Sequence, residues 1–240
     1  MTMAKDIEAR FIERIERTPT VSSFRFIFSE QVDFIPGQFS QIIFDVADIA
    51  NKQLNKYLSF SCAPSKDYIE ITKRISPSLF SQRLMSLQPG DKVLFKTPLG
   101  SCVFKPEYKK VGFLIGGIGI TPVISIIEHI VDKRLDTDVH LVYSNRSKEE
   151  IAFYKELEAW KLALAGKLTV DYVICEGEAK DNGFILGKID EQLLRRVFPD
   201  IQERVVFIFG PPAMVEAMQK ICLSLGCAKE KVKLENFIGY

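Results

Sequence analysis

Short apolar runs with alternating or β-branched residues dominate the first hundred positions of the chain. Turn signals at residues 33–37 (DFIPG) and 88–91 (QPGD) lie between some of these runs. Only residues 78–87 have helical spacing in this half. The runs are FIERIER, SFRFIFS, FSQIIFD, YLSFS, YIEITKR and VLFKT. This pattern predicts a small antiparallel β-barrel with one inserted helix.

After Lys109 the pattern changes to near-continuous apolar strands that alternate with amphipathic helices. The predicted strands are VGFLIG, VHLVYS, LTVDYVI and VVFIFG, and the predicted helices are 121–132, 148–165, 188–197 and 211–225. Such strands are typical of a parallel sheet that is covered on both faces. The charged segment KPEYKK marks the boundary. We therefore predict an antiparallel β-barrel domain at 1–105, followed by a doubly wound parallel α/β domain at 106–240.

Composition and charge exclude several classes of protein. With 47% hydrophobic residues in 240, the chain can bury one large core or two modest ones, and a net charge of +1 gives no basic surplus for nucleic acid. The five cysteines include no C-x-x-C pair, so no metal site is expected, and their odd number indicates reduced thiols. Since the charged N-terminus offers no signal core, we expect a cytoplasmic protein. Glycines and a proline interrupt the uncharged run 111–127, which favours strand, turn and helix over a membrane span.

Two glycine turns follow apolar strands in the second half. The first holds Gly116, Gly117 and Gly119 before Thr121-Pro122, and the second is Gly210-Pro211-Pro212, followed by Met214. A helix that begins at such a turn offers free N–H groups to an anion, and open α/β sheets bind ligands at the carboxyl ends of their strands. A purely structural turn, and a methionine that only fills the core, stay open as the alternatives.

These turns belong to a longer series of motifs that resembles the ferredoxin–NADP reductase superfamily. The series, in family order over nearly the whole chain, is PGQF (36–39), KYLS (56–59), SLFS (78–81), PGD (89–91), PLG (98–100), GGIGITP, FGPPAM and LENF. The resemblance implies an FAD-binding barrel and an NAD(P)-binding domain, with hydride passing from NAD(P)H to FAD. Electrons would then leave for a separate acceptor protein, such as ferredoxin, flavodoxin or an oxygenase component.

Two other functions stay open beside this reductase. One is an electron-transfer subunit of a larger complex, although the pair Cys222 and Cys227 does not supply the C-terminal cysteine cluster of that class. The other is a binding module that keeps the fold without the flavin. The sequence does not indicate the oligomeric state.

The resemblance assigns the flavin ring to KYLS. Ser59 matches the serine that faces the hydride-accepting flavin nitrogen, and Lys56 stands where the family has an arginine on the pyrophosphate. Leu58 stands where an aromatic ring usually covers the flavin, and Tyr57 is one residue away, on the opposite face of a strand. Either Leu58 forms an aliphatic cover or the register shifts.

The flavin pyrophosphate is assigned to the SLFS motif. Its residues Ser78, Leu79, Phe80 and Ser81 match a phosphate-binding helix start, where backbone N–H groups cradle an anion. A plain helix cap by Ser78 is the alternative. Lys73 adds positive charge nearby, which a solvated strand end explains equally well.

In the second domain the resemblance assigns the dinucleotide and the final catalytic residues. The implied dinucleotide positions are Gly116, Gly117, Gly119, Thr121, Gly210, Pro211 and Met214. Asn145 and Arg146 lie where the family reads the adenosine ribose. Arg146 could bind a 2′-phosphate and favour NADPH, stack on adenine, or pair with Glu149 or Glu150, so the choice between NADH and NADPH stays open. Glu235 and the terminal Tyr240 match the acidic residue and the ring expected at the flavin, and a frayed terminus stays open as the alternative for Tyr240.

Overall fold

The computed structural model of the chain describes residues 4–176 and 183–237. The chain divides into two compact units. The first contains the chain up to Phe104 together with Thr121–Asp132, and the second contains Lys105–Ile120 and the chain from Lys133 onward. Because these units are defined by packing alone, the domain bounds 1–105 and 106–240 stay a prediction.

The first unit is an antiparallel sheet that closes into a barrel, as predicted. Its elements are β1 (Lys5–Thr18), β2 (Val21–Phe28), β3 (Phe39–Ile43), β4 (Asn55–Ser59), β5 (Ile69–Arg74), α1 (Leu79–Met85) and β6 (Lys92–Leu99). The strand order is β4-β3-β6-β1-β2-β5. A bridge between Phe60 and Ile71 joins the two edges of this sheet.

Aromatic side chains fill the barrel. The rings of Phe26 and Phe95 meet edge to face, with centroids 5.1 Å apart. Helix α1 adds Phe80 and Leu84 to the same apolar cluster. The alternation of apolar and polar residues along the strands is what directs these rings inward, so the barrel pattern could be recognised in the sequence.

The second unit is built on a parallel sheet. In chain order from Lys110 onward, the elements are β7 (Lys110–Gly116), α2 (Thr121–Lys133), β8 (Asp138–Asn145), α3 (Tyr154–Ala163), β9 (Leu168–Ile174), β10 (Phe184–Leu186), α4 (Glu191–Val197), β11 (Val205–Gly210), α5 (Pro212–Ser224) and β12 (Val232–Asn236). Of these, α2 belongs to the first unit up to Asp132. The strand order is β10-β9-β8-β7-β11-β12, and all pairs are parallel. The order reverses at β7, so the topological switch point lies there.

The predicted helix 148–165 is wrong in its first turn. Residues Lys148–Glu150 form a short 3-10 turn, and α3 begins only at Tyr154. Phe153, at the position before α3, has a left-handed backbone with φ 62°. Ile151, Ala152 and Phe153 are all buried. These three buried residues lie between the 3-10 turn and α3 and belong to neither.

The uncharged run 111–127 divides into β7, a glycine turn and the start of α2, as predicted. None of the helices in the described residues combines the length and the apolar character needed to cross a membrane.

Candidate functional site

Lys56 and Lys73 lie on the inner face of the barrel. Lys56 pairs with Ile42 across the β3–β4 ladder, and Lys73 follows Ile71 by two residues on β5. Both isoleucines belong to the barrel core, so the two lysines share its face. Lys73 is buried, and its ammonium donates to the carbonyl oxygen of Arg74 at 2.9 Å.

The electrostatics at these two lysines favour an anion. Burial lowers the pKa of the Lys73 ammonium, and the charge of Lys56 lowers it further. Within residues 4–176 and 183–237, neither lysine has a carboxylate at ion-pair distance. A buried ammonium beside a second cation is costly without a counter-charge, so this end of the barrel suits a phosphate.

The start of α1 has the geometry of a helix cap by Ser78. Ser78 is the N-cap, and its hydroxyl oxygen accepts a hydrogen bond from the N–H of Ser81 at 3.3 Å. Phe80 is buried in the barrel core, and Leu79 is exposed. The N–H of Ser81 is therefore engaged by the cap, and the N–H groups of Leu79 and Phe80 remain for a ligand.

The two faces of β4 separate the four predicted flavin residues. Tyr57 and Ser59 pair with Gln41 and Phe39, and they share the face that points away from the barrel core. Lys56 and Leu58 share the opposite face. Ser59 is buried, and its hydroxyl makes no hydrogen bond to any described residue. The structure therefore places Ser59 with Tyr57, not with Leu58.

The two glycine turns lie side by side at the carboxyl ends of β7 and β11. A Cβ on Gly116 would overlap the sulfur of Met214, and one on Gly119 would overlap the carbonyl oxygen of Phe209. A Cβ on Gly210 would also crowd the Met214 sulfur, at 3.2 Å. Close packing against backbone thus requires a glycine at 119, whereas a Cβ at 116 or 210 would meet the flexible end of Met214, which can shift.

The remaining positions of these turns differ in exposure. Gly117 has a positive φ of 52°, which a side chain rarely tolerates. Pro211 is exposed at the N-cap of α5. Thr121 begins α2 and is buried, and α2 packs in the first unit. Thr121 therefore packs with a different unit from the glycines that precede it.

The end of β8 carries a buried polar group without a partner. Asn145 is the last residue of β8 and is 5% exposed. Neither its amide nitrogen nor its amide oxygen has a hydrogen bond in the described residues. Buried amides are almost always bonded, so this orphaned pair suits a ligand that offers both a donor and an acceptor.

Arg146 is paired with a residue that the sequence analysis missed. Its Nε donates to Oε1 of Glu176 at 2.9 Å, and the N–H of Glu176 donates to the carbonyl oxygen of Arg146 at 2.8 Å. The hydrogen-bonded carboxylate is thus not that of Glu149 or Glu150. Glu176 raises the pKa of Arg146, and Glu150 adds to this at longer range. Since β8 and β9 are parallel neighbours, their ends meet, and this pairing, for which the sequence carries no direct signal, brings Glu176 to Arg146.

Glu235 has the perturbed environment expected of a functional carboxyl. It pairs with Phe209 across the β11–β12 ladder. Its Oε2 is shielded from solvent and makes no hydrogen bond in the described part of the chain. Burial raises the pKa of Glu235 to about 7. Tyr240 lies outside the described residues.

The described residues hold no group of three or more His, Cys, Asp or Glu placed to bind a metal ion. All five cysteines are free thiols.

The second half of the chain matches a known protein family. Residues 113–220 match the family model described as the oxidoreductase NAD-binding domain. The chain is 29% identical over 238 residues to nitrate reductase [NADH] 1 of Arabidopsis thaliana, covering 88% of this chain and 26% of that protein. It is 33% identical over 171 residues to NADH-cytochrome b5 reductase 1 of Eremothecium gossypii, covering 68% of this chain and 59% of that one. The chain thus spans less than two thirds of either relative.

Solved structures share the whole fold. The FAD/NAD-binding domain of nitric oxide dioxygenase from Vibrio cholerae superimposes with a TM-score of 0.83 at 19% identity, covering 96% of this chain and 98% of that one. A ferredoxin NADP+ reductase from Neisseria gonorrhoeae, with bound FAD and NADP, gives 0.81 at 23% identity, with 97% and 98% covered. These likenesses confirm the predicted fold: a β-barrel followed by a parallel α/β domain.

Proposed function

We propose that the chain is a flavoprotein reductase of the ferredoxin–NADP reductase superfamily, whose motifs it carries and whose fold it shares. In this proposal it takes a hydride from NAD(P)H onto bound FAD and passes electrons to a separate acceptor protein. The observation that carries the proposal is the pair Lys56 and Lys73, two cations at one end of a barrel with no carboxylate partner in the described residues.

The pair fits the pyrophosphate of FAD. A pyrophosphate carries two negative charges, and it would compensate both ammonium groups. The free N–H groups of Leu79 and Phe80 at the start of α1 would add donors. Lys56 and Ser59 point to opposite faces of β4, which is the first strand in the sheet order. A flavin that contacts both would therefore lie across this strand edge.

Bound FAD would supply the hydride acceptor, and the protein would supply position and protons. The unbonded hydroxyl of Ser59 would donate to the ring nitrogen that accepts the hydride. The amide of Asn145 and the glycine turns would hold the dinucleotide at the switch point of the sheet. With a pKa near 7, Glu235 would carry a proton in part of the molecules at neutral pH and could exchange it there.

Lys56→Ala should weaken FAD binding, because a charge-assisted contact to phosphate is lost. Such contacts contribute about 1.5–3 kcal/mol, so the Kd for FAD should rise roughly 10- to 100-fold. Lys56→Arg should bind FAD at least as tightly as the unmodified protein, since the planar guanidinium group can donate to two phosphate oxygens at once. Titration of the apoprotein with FAD, followed by flavin absorbance, measures this.

Lys52→Ala is the matched control, because it removes an exposed lysine from the loop before the same strand. Equal FAD affinity for Lys56→Ala and Lys52→Ala would overturn the pyrophosphate assignment. A purified protein that stays colourless and binds no added FAD would contradict the reductase altogether and favour the flavin-less binding module.

For the electron acceptor we propose classes of protein rather than one partner. The relatives named above include an NADH-cytochrome b5 reductase and a nitrate reductase, so haem proteins join ferredoxin, flavodoxin and oxygenase components as candidates. Anaerobic reduction of the protein with NADH, followed by mixing with each acceptor in turn, identifies the partner by the rate at which the flavin is reoxidised. Reoxidation by none of them would favour the subunit of a larger complex.

The Arg146–Glu176 pair should make the enzyme prefer NADH to NADPH. Glu176 engages the guanidinium that would otherwise bind a 2′-phosphate, and its own charge repels that phosphate. Glu176→Gln should raise kcat/KM for NADPH about tenfold relative to NADH. Glu216→Gln, which breaks an equally exposed pair with Lys220, is the control. An unchanged ratio in Glu176→Gln would show that the pair does not select the nucleotide.

A further inference from the structure

We propose that Tyr57, rather than Leu58, supplies the aromatic face against the flavin ring, and that Phe39 holds Tyr57 in place. This inference rests on the proposed function and names the ring contact within it. It concerns β4 and its neighbour β3, which belong to the same unit.

The register of β3 and β4 places Tyr57 beside Ser59. Ser59 pairs with Phe39 and Tyr57 pairs with Gln41, so these four side chains lie on one face of the ladder. Residues two apart on a strand are about 7 Å apart, a distance that a three-ring system spans. A flavin ring that reaches the hydroxyl of Ser59 therefore also reaches the ring of Tyr57.

The side chain of Leu58 lies on the other face of β4. It pairs with the fully buried Ser40 and packs against the apolar cluster of the barrel, to which Phe80 of α1 belongs. To cover a flavin at Ser59, Leu58 would have to leave that cluster and turn β4 over by one residue. Such a slip would move every side chain of the strand to the wrong face, so it is strongly disfavoured.

The ring of Tyr57 is exposed, and a contact with Phe39 fixes its orientation. Its side chain is 62% exposed, although it is a large ring. It meets Phe39 edge to face, with centroids 5.9 Å apart and planes at 89°. One face of the Tyr57 ring is thus free for a planar ligand while the contact to Phe39 limits its rotation.

Phe39 is fixed in turn by the loop after β6. A Cβ on Gly100 would lie 2.7 Å from the Phe39 ring, so that ring packs directly on the bare backbone of Gly100. Gln38 ties the two segments together, since its Nε2 donates to the carbonyl oxygen of Gly100 at 3.2 Å. The PGQF and PLG motifs therefore position Phe39, and through it Tyr57.

The test uses FAD bound to the full chain and compares four proteins by flavin fluorescence and FAD affinity. A phenol in contact with an excited flavin quenches its emission by electron transfer, and an aliphatic side chain does not. Tyr57→Leu should therefore brighten the bound FAD and raise its Kd about fivefold, whereas Tyr57→Trp should keep the emission quenched. Leu58→Met, which keeps the volume of a half-buried residue packed against the barrel core, is the matched control and should leave the emission unchanged.

The outcomes separate this inference from the proposed function. Bound FAD that stays equally dim in Tyr57→Leu overturns the Tyr57 contact and leaves the reductase intact. If the unmodified chain binds no FAD at any concentration, the proposed function fails, and the ring contact fails with it.

Discussion

Replacing Glu70 by alanine should lower the free energy of unfolding by about 3–5 kcal/mol, because it leaves two guanidinium groups without their buried counter-charge. Glu70 lies on β5 with its side chain 2% exposed. Arg17 donates to both of its oxygens, at 3.1 and 3.0 Å, and Arg25 donates to Oε2 at 2.9 Å. Ser61 donates to Oε1 at 3.1 Å. The carboxylate thus joins β1, β2 and β5 to the segment after β4.

The hydroxyl groups around Glu70 extend the same network. Thr72 is hydrogen bonded to both Ser23 and Ser61 at 2.7 Å, and Arg17 donates to Ser23 at 2.8 Å. Removing the carboxylate therefore disturbs groups that do not touch it directly. Glu70→Gln should cost less than Glu70→Ala, since it keeps one acceptor oxygen.

Glu13→Ala is the control for Glu70, because both carboxylates bind Arg25. The Glu13 side chain is 49% exposed, and its bond to Arg25 is 2.8 Å long. An exposed ion pair contributes only about 0–1 kcal/mol, so Glu13→Ala should be nearly neutral. Urea unfolding followed by circular dichroism measures both variants. Equal stability of Glu70→Ala and Glu13→Ala would show that burial of the pair does not matter.

The fold could be predicted because both halves repeat simple periods. Alternation with a period of two directs Phe24 and Phe26 into the barrel, and the fully apolar VGFLIG and VVFIFG become the central neighbours β7 and β11. The short β10 and the edge strand β12 carry no such signal. The 3-10 turn at Lys148–Glu150 was missed because the spacing of Ile151, Tyr154 and Leu157 continues the helical pattern of α3 back across the non-helical segment 151–153.

The candidate site could be predicted only in part from the sequence. Motifs locate the ends of strands, so Asn145, Gly210 and Glu235 could be named in advance. Their burial and their lack of hydrogen-bond partners could not be predicted, since both arise only when separate strands pack. Glu176 illustrates this limit: it is distant from Arg146 in sequence, and only the β8–β9 register brings the two together.

Glu235→Gln should stabilise the protein at alkaline pH, although it removes a predicted catalytic group. Burial raises the pKa of Glu235 from its ordinary value of 4.5 to about 7 in the folded chain. A carboxyl with a raised pKa favours folding below the unfolded value, and this advantage is lost as the pH rises through 7. Above pH 8 the ionised carboxylate should cost about 3 kcal/mol, because one pKa unit corresponds to roughly 1.4 kcal/mol.

Thermal unfolding at pH 4.5 and pH 8.5 tests this expectation for Glu235. The neutral glutamine side chain resembles the protonated acid, so the variant should match the parent at pH 4.5 and unfold at a higher temperature at pH 8.5. Glu230→Gln, which changes an exposed carboxylate just before the same strand, should show no such pH-dependent gain. A gain of equal size at both pH values would mean that shape, not charge, limits stability at this position. A loss at pH 8.5 would mean that the carboxylate has a cationic partner, and its pKa near 7 would be wrong.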